Sequence, residues 1–217
     1  MPSDGESNGE KLMILCDIGN TTTDIFENGV YRKISLTEFK PELLSGEAWY
    51  CCVNHNMSDM LEVLPNWHNI VSVIDWNKYY PTMGIDRVMV CEAIDDGVIM
   101  DAGSAITVDV MRDGVYQGGF ISLGLRAAQE AYARLSPALA TSFNFEVDLT
   151  IMAKNTSDAL TVGFLAPLVH KIESLGKPIY MTGGDAQILA RYFSDTIVDE
   201  RLVFKGMQKL INKGLQC

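Results

Sequence analysis

Short apolar runs that end on an aspartate and then turn through glycine set the pattern of this chain. Val98-Ile99-Met100 leads to Asp101, Ala102-Gly103-Ser104 turns, Ala105 to Asp109 resumes the apolar run, and Asp113-Gly114 turns again into Gly118-Gly119. An echo stands near the N-terminus. There Met13-Ile14-Leu15-Cys16 leads to Asp17, Ile18-Gly19-Asn20-Thr21 turns, and Asn28-Gly29 follows. Both stretches read as hairpin-connected strands, because Asn-Gly and Asp-Gly supply the positive φ angles of two-residue hairpin turns. Two copies of one pattern predict a duplicated fold with two facing loops.

Between and beyond the copies, the spacing of apolar residues predicts strands over 11–16, 23–27, 30–35, 47–53, 70–74 and 179–182. It predicts helices over 36–44 (shortened by Pro41), 58–64 with Ser58 as N-cap, and 88–95 opened by Gly84-Ile85-Asp86-Arg87. Further helices are expected over 125–135, 158–175 behind an Asn155-Thr156-Ser157 cap, 186–193 and 203–213. The stretch 138–154 reads as irregular, and the aromatic connector 76–81 is expected to cover a cleft. Strands alternating with helices make this an α/β protein. The polar first ten residues read as a mobile tail, with an N-terminal half over 11–81 and a C-terminal half over 82–217.

Composition narrows the function classes. With 217 residues, 47% hydrophobic and 21% charged, the chain can bury ample core. A formal charge of −11, from 28 acidic against 17 basic side chains, argues against nucleic acid or an anionic membrane as partner. An anionic substrate stays possible, because local amides and a bound cation can hold phosphate. No apolar run reaches the length of a membrane span. Five cysteines without a Cys-x-x-Cys, two of them in apolar runs, read as reduced thiols of a cytoplasmic protein rather than a zinc site.

Four loops carry candidate chemistry. In Asp17-Ile18-Gly19-Asn20-Thr21, glycine admits close approach of a ligand, Asn and Thr can donate to phosphate oxygens, and Asp17 can hold a divalent cation through water. A plain hairpin turn, with the aspartate bonded to its own backbone, is the competing reading. The loop from Asp101 to Asp109 repeats the design, with Asp101 suited to a cation and Ser104 to phosphate. Gly183-Gly184-Asp185, between a strand and a helix, could let a nucleotide pass close to backbone, although paired glycines also serve packing. Gly84-Ile85-Asp86-Arg87 pairs an acid with a cation: a proton acceptor and an anion holder in a kinase, or an ordinary helix start in which Asp86 meets free amides.

Together these motifs resemble the type III pantothenate kinase family, within the acetate kinase, sugar kinase, Hsp70 and actin superfamily. The matching residues are Asp17-Ile18-Gly19-Asn20-Thr21, Gly84-Ile85-Asp86-Arg87, Asp101 to Asp109, Gly118-Gly119-Phe120-Ile121, Asn155-Thr156 and Thr182-Gly183-Gly184. The resemblance implies duplicated ribonuclease-H-like (actin-like ATPase) halves, with mixed sheets around a central cleft, in a homodimer. It implies ATP-dependent phosphorylation of pantothenate, the first step towards coenzyme A. By the same resemblance the run Asp17, Ile18, Gly19, Asn20, Thr21, Thr22, Thr23, Asp24 is the ATP phosphate loop, with Asp17 linked to Mg²⁺ and Ser104 contacting ATP. Asp86 is the proton acceptor, Asp101 binds K⁺ or NH₄⁺, and Tyr80 (over Tyr79), Gly84, Ile85, Asp86, Arg87 and Thr156 contact pantothenate, Thr156 across the dimer interface. Departures from the family pattern are Ser104 for threonine, Leu123 for proline and Cys51-Cys52 where serines are usual. Another small-molecule kinase of the superfamily, or a non-catalytic regulator of the Bvg accessory factor type, remain the alternatives. A regulator is expected to lose Asp86 or the cation aspartate, and both are present.

Overall fold

A computed structural model describes residues 13–214 of the chain. The expected tail, the first two residues of the expected strand 11–16 and Cys217 lie outside the described residues. The pattern read twice in the sequence is built twice in space. Strands β1 (Met13–Ile18), β2 (Thr22–Glu27) and β3 (Val30–Ser35) form an antiparallel meander, and β4 (Glu47–Cys52) and β5 (Trp67–Asn69) add in parallel on the other side of β1. The sheet order is therefore β3-β2-β1-β4-β5. The second sheet uses β6 (Gly97–Ala102), β7 (Ala105–Arg112), β8 (Val115–Leu123), β9 (Ile179–Thr182) and β10 (Thr196–Val198), in the order β10-β9-β6-β7-β8. Taken from β8, that is the same arrangement again, the duplicated ribonuclease-H-like fold. Both meanders close with the turns anticipated from sequence: Asn28 and Gly29 have φ 53° and 79°, Asp113 and Gly114 φ 51° and 73°.

The first strand of each sheet reads as a continuous apolar run because both of its faces are covered. Leu15 of β1 and Ile99 of β6 point into one central layer, with Met89 of α2 (Ile85–Ala93) and Met207 of α6 (Leu202–Gly214). The alternate residues point outward. Ile14 and Cys16 pack with Leu61 of α1 (His55–Glu62). Val98 and Met100 pack with Leu125 of α3 (Leu125–Leu135), Leu165 of α4 (Thr156–Glu173) and Leu189 of α5 (Ala186–Ala190). Helices α2 and α6 thus lie between the sheets, and the other helices lie outside them. Among the described residues no helix is long and apolar enough to cross a membrane. Cys16, Cys51 and Cys91 are buried and Cys52 half-buried, all as free thiols.

Several expected elements differ. The helix over 36–44 reduces to one turn of 3₁₀ helix, Pro41–Leu43, because Leu36 N–H is drawn to Thr21 O (2.9 Å) and Pro41 supplies no donor. Helix α1 starts ahead of Ser58, since Asn54 Oδ1 accepts from Met57 N–H at 3.1 Å and caps it earlier. The strand expected over 70–74 is a 3₁₀ turn, Ile70–Val73, capped by Asn69; pairing is confined to β5 just before it. The helix expected over 186–193 ends at Ala190. Strand β10 was not anticipated, being too short for its alternation to register.

Candidate active site

Duplication places equivalent acids at equivalent positions. Asp17 is the fifth residue of β1 and Asp101 the fifth of β6, so both stand at strand C-terminal ends facing one cleft of about 480 Å³. That volume lies within the range of small-molecule sites. Asp24, Asp86, Ser104 and the backbone of Gly19, Gly103, Gly183 and Gly184 also line it. Burial pushes the Asp17 carboxyl up to about 7; the Cys51 thiol, donating to Oδ1 at 3.2 Å, eases this, while the charges of Asp24, Asp86 and Asp101 add to it. Asp101 is pushed up to about 6, by burial first and then by Asp86. A cleft whose acids resist ionising is one that a cation would stabilise. Among the described residues no group of three or more His, Cys, Asp or Glu could hold a metal ion by itself. The donor set suits a hard cation that keeps water and takes its remaining ligands from phosphate oxygens.

The start of α2 carries the second group of candidate residues. Asp86 Oδ1 folds back to accept from Arg87 N–H at 2.8 Å, and a Cβ on Gly84 would stand 2.6 Å from that oxygen, so glycine is what admits the rotamer. One carboxylate oxygen thus serves the helix start, and Oδ2 has no hydrogen-bond partner among the described residues. Arg87 is only 5% exposed. Its Nε and Nη2 donate to Asp109 at 3.0 and 2.6 Å, Nη1 donates to the Tyr80 hydroxyl at 2.5 Å, and the Tyr116 hydroxyl donates to Asp109 at 3.0 Å. Burial disfavours the guanidinium charge, and the fully buried Asp109 more than offsets it. Arg87 is thus a fixed cation that offers a ligand only its Nη1 edge. Tyr80, 40% exposed, sits at that edge, while Tyr79 is buried with its hydroxyl on Glu92 at 3.0 Å.

The structure gathers some expected residues and disperses others. Asp17, Gly19, Thr22, Asp24, Asp86, Asp101 and Ser104 line the cleft. Ile18 and Thr23 are buried in the first sheet, and Ile85 is buried in the central core. Asn20 and Thr21 line a separate shallow groove with Asn54, Met57 and Met60. Thr156, the first residue of α4, is not among the residues lining the cleft. Sequence reasoning overlooked Tyr31, Lys33, Val53, Glu200, Val203 and Phe204 in the cleft wall, and left Asp109 without a task. Register would have found Lys33: Asp17 pairs with Asp24 and Asp24 with Lys33, one row across three strands, with Lys33 Nζ 3.3 Å from Asp24.

Comparison with known proteins bears on this geometry. The type III pantothenate kinase family matches residues 53–177. A type III pantothenate kinase of Sulfurimonas denitrificans is 45% identical over 94% of this chain and all of its own length. That of Helicobacter hepaticus is 41% identical, again over 94% of this chain and all of its own. A solved Campylobacter jejuni structure, described under the Baf family of transcriptional activators, superposes with a TM-score of 0.84 at 34% identity, covering 94% of this chain and all of that one. MreB5 of Spiroplasma citri bound to AMPPNP superposes with a TM-score of 0.52 at 11% identity, a likeness of fold alone, over 96% of this chain and 99% of its own.

Proposed function

The chain belongs to the type III pantothenate kinase family, and from that premise we propose how its cleft transfers phosphate. It is a kinase that uses ATP to phosphorylate pantothenate at the entry to coenzyme A synthesis. The observation that carries the site assignment is the convergence of Asp17, Asp86 and Asp101 on one glycine-walled cleft.

In our reading the run from Asp17 to Asp24 and Ser104 hold the triphosphate, with Asp17 turned to Mg²⁺ through water and Asp101 to K⁺ or NH₄⁺. When bound, these cations supply the positive charge that the phosphate oxygens lack in this acidic cleft. Asp86 accepts the proton of the pantothenate hydroxyl through Oδ2 while the hydroxyl oxygen bonds to the γ-phosphorus and the bond from that phosphorus to the ADP oxygen breaks in line. Gly84 and Ile85 offer backbone to pantothenate, and Arg87 Nη1 with Tyr80 faces its carboxylate. The halves 11–81 and 82–217 act as the two walls, in a cytoplasmic homodimer whose second copy supplies Thr156. Supporting the dimer, β8 is an edge strand with Ile121 61% and Leu123 52% exposed. Asp17, Asp86 and Asp101 together favour catalysis over a regulator's role.

The test is ATP consumption by purified protein in K⁺ buffer, with and without pantothenate. Pantothenate-dependent turnover is expected. Hydrolysis indifferent to pantothenate, or none, would overturn the reading.

A further inference from the structure

We infer that Glu200 selects the sugar of the phosphoryl donor, its carboxylate accepting hydrogen bonds from the ribose hydroxyls of ATP. The inference rests on the kinase reading and adds to it a residue that belongs to none of the glycine-and-acid loops.

Strand topology sets the distance. Parallel strands β6, β9 and β10 lie side by side, with Asp101 level with Thr182 and Met181 level with Val198. Asp199 N–H continues the ladder to Met181 O at 2.8 Å, so Glu200 emerges at the same end of the sheet, two strands from Asp101. Adjacent strands stand about 4.8 Å apart, which puts the Glu200 backbone roughly 10 Å along the cleft from the acids at the transfer end. A triphosphate bridges that kind of span: with its terminal phosphate among Asp17, Asp86 and Asp101, its sugar falls beside Glu200.

Charge decides what Glu200 can receive. Its neighbour Asp199 is committed, accepting from Arg201 N–H at 2.9 Å and pairing with Lys205. Lys33 is committed to Asp24. Glu200 lines the cleft with no hydrogen bond or ion pair among the described residues. An unpaired carboxylate there repels bare phosphate and accepts readily from a neutral group rich in donors. A ribose diol fits that description; a phosphate or a carboxylate does not. The same wall carries Tyr31, Val203 and Phe204. The Tyr31 hydroxyl is pushed upward by burial, by Asp24 and then by Glu200, which places the Glu200 charge near this end of the cleft.

The experiment compares ATP, 2′-deoxy-ATP and 3′-deoxy-ATP on the full chain and on Glu200→Ala, by kcat/KM with saturating pantothenate and by calorimetric affinity without it. Wild type is expected to prefer ATP over at least one deoxy analogue by roughly tenfold, the worth of one charge-assisted hydrogen bond at an open site. Glu200→Ala should lose that preference by falling towards the analogue's value for ATP, through KM, while its value for that analogue stays within about twofold. Equal handling of all three nucleotides by wild type, a preference retained in Glu200→Ala, or failure to bind ATP would overturn the inference. A calorimetric preference that Glu200→Ala abolishes, in a protein without pantothenate-dependent turnover, would uphold Glu200 and overturn the kinase reading alone.

Discussion

Asp17→Asn should make the protein more stable while removing its activity, because Asp17 is held where folding disfavours its charge. In the unfolded chain the carboxyl ionises at 3.8, and in the folded cleft at about 7. The folded state therefore binds the proton more tightly. Its stabilising contribution is complete below pH 3.8 and is lost as pH rises, until the penalty levels off above about 7. The full difference corresponds to about 4 kcal/mol; because the carboxylate keeps one edge on the cleft, about 2 to 4 kcal/mol is the working range. Asparagine keeps the shape and an oxygen for the Cys51 thiol, and cannot ionise. Urea denaturation of both proteins, in chelator and without nucleotide, reads the prediction directly. Taking the difference between the two cancels the general effect of the −11 net charge. The advantage of Asp17→Asn should widen by about 2 kcal/mol between pH 5 and pH 8, and Mg²⁺ with ATP should narrow it again by stabilising wild type alone. Parallel stability curves across that range would show that the cleft does not strain Asp17, and the reasoning would fail.

Other expectations follow from the same geometry. Asp86→Asn should fold and bind ATP normally by calorimetry, yet lose roughly 100-fold or more in kcat; near-normal turnover would remove Asp86 from the role of proton acceptor. Replacing K⁺ and NH₄⁺ by Na⁺ should depress the rate if Asp101 holds a monovalent cation, and an unchanged rate would count against it. Gly119→Ala drives a Cβ into Asp109 Oδ1 and Val108 O, and to 2.9 Å from Arg87 Nη2; it should cost about 3 kcal/mol in denaturation and raise KM for pantothenate while sparing KM for ATP. If β8 carries the proposed dimer contact, Ile121→Lys should shift sedimentation from dimer to monomer and weaken pantothenate binding with it; unchanged sedimentation would count against that contact.

What could be read from the chain alone was whatever its chemistry keeps local. An acid, a glycine and a hydroxyl in one hairpin turn announce themselves, so the loops at Asp17 and Asp101 were legible together with the duplication that repeats them. Elements covered on both faces were legible as apolar runs. The start of α1 was not, because Asn54, Asn56 and Ser58 are all capping residues within five positions, and the cap that forms is Asn54, accepting from Met57 N–H. Residues 70–74 misled for the opposite reason: Ile70 and Ile74 are buried in the central core, as a strand would bury them, but in a turn that pairs with nothing.

The site divides along the same line. Asp86 and Arg87 are adjacent in sequence, yet what they can do depends on groups far from them. Asp109, 22 residues from Arg87, takes two of its donors and leaves Nη1 with Tyr80 for a ligand. A guanidinium free to swing would pair with any anion within its reach. Pinned by a buried carboxylate, it is held in one place, and on the reading proposed above that restriction keeps the anionic substrate apart from the anionic phosphoryl donor. Glu200 acts at the other end by the same logic, repelling phosphate from where the sugar should lie. Both proposed devices work by exclusion and depend on residues remote in sequence, which is why the motifs pointed to candidate reacting groups but not to Asp109 or Glu200.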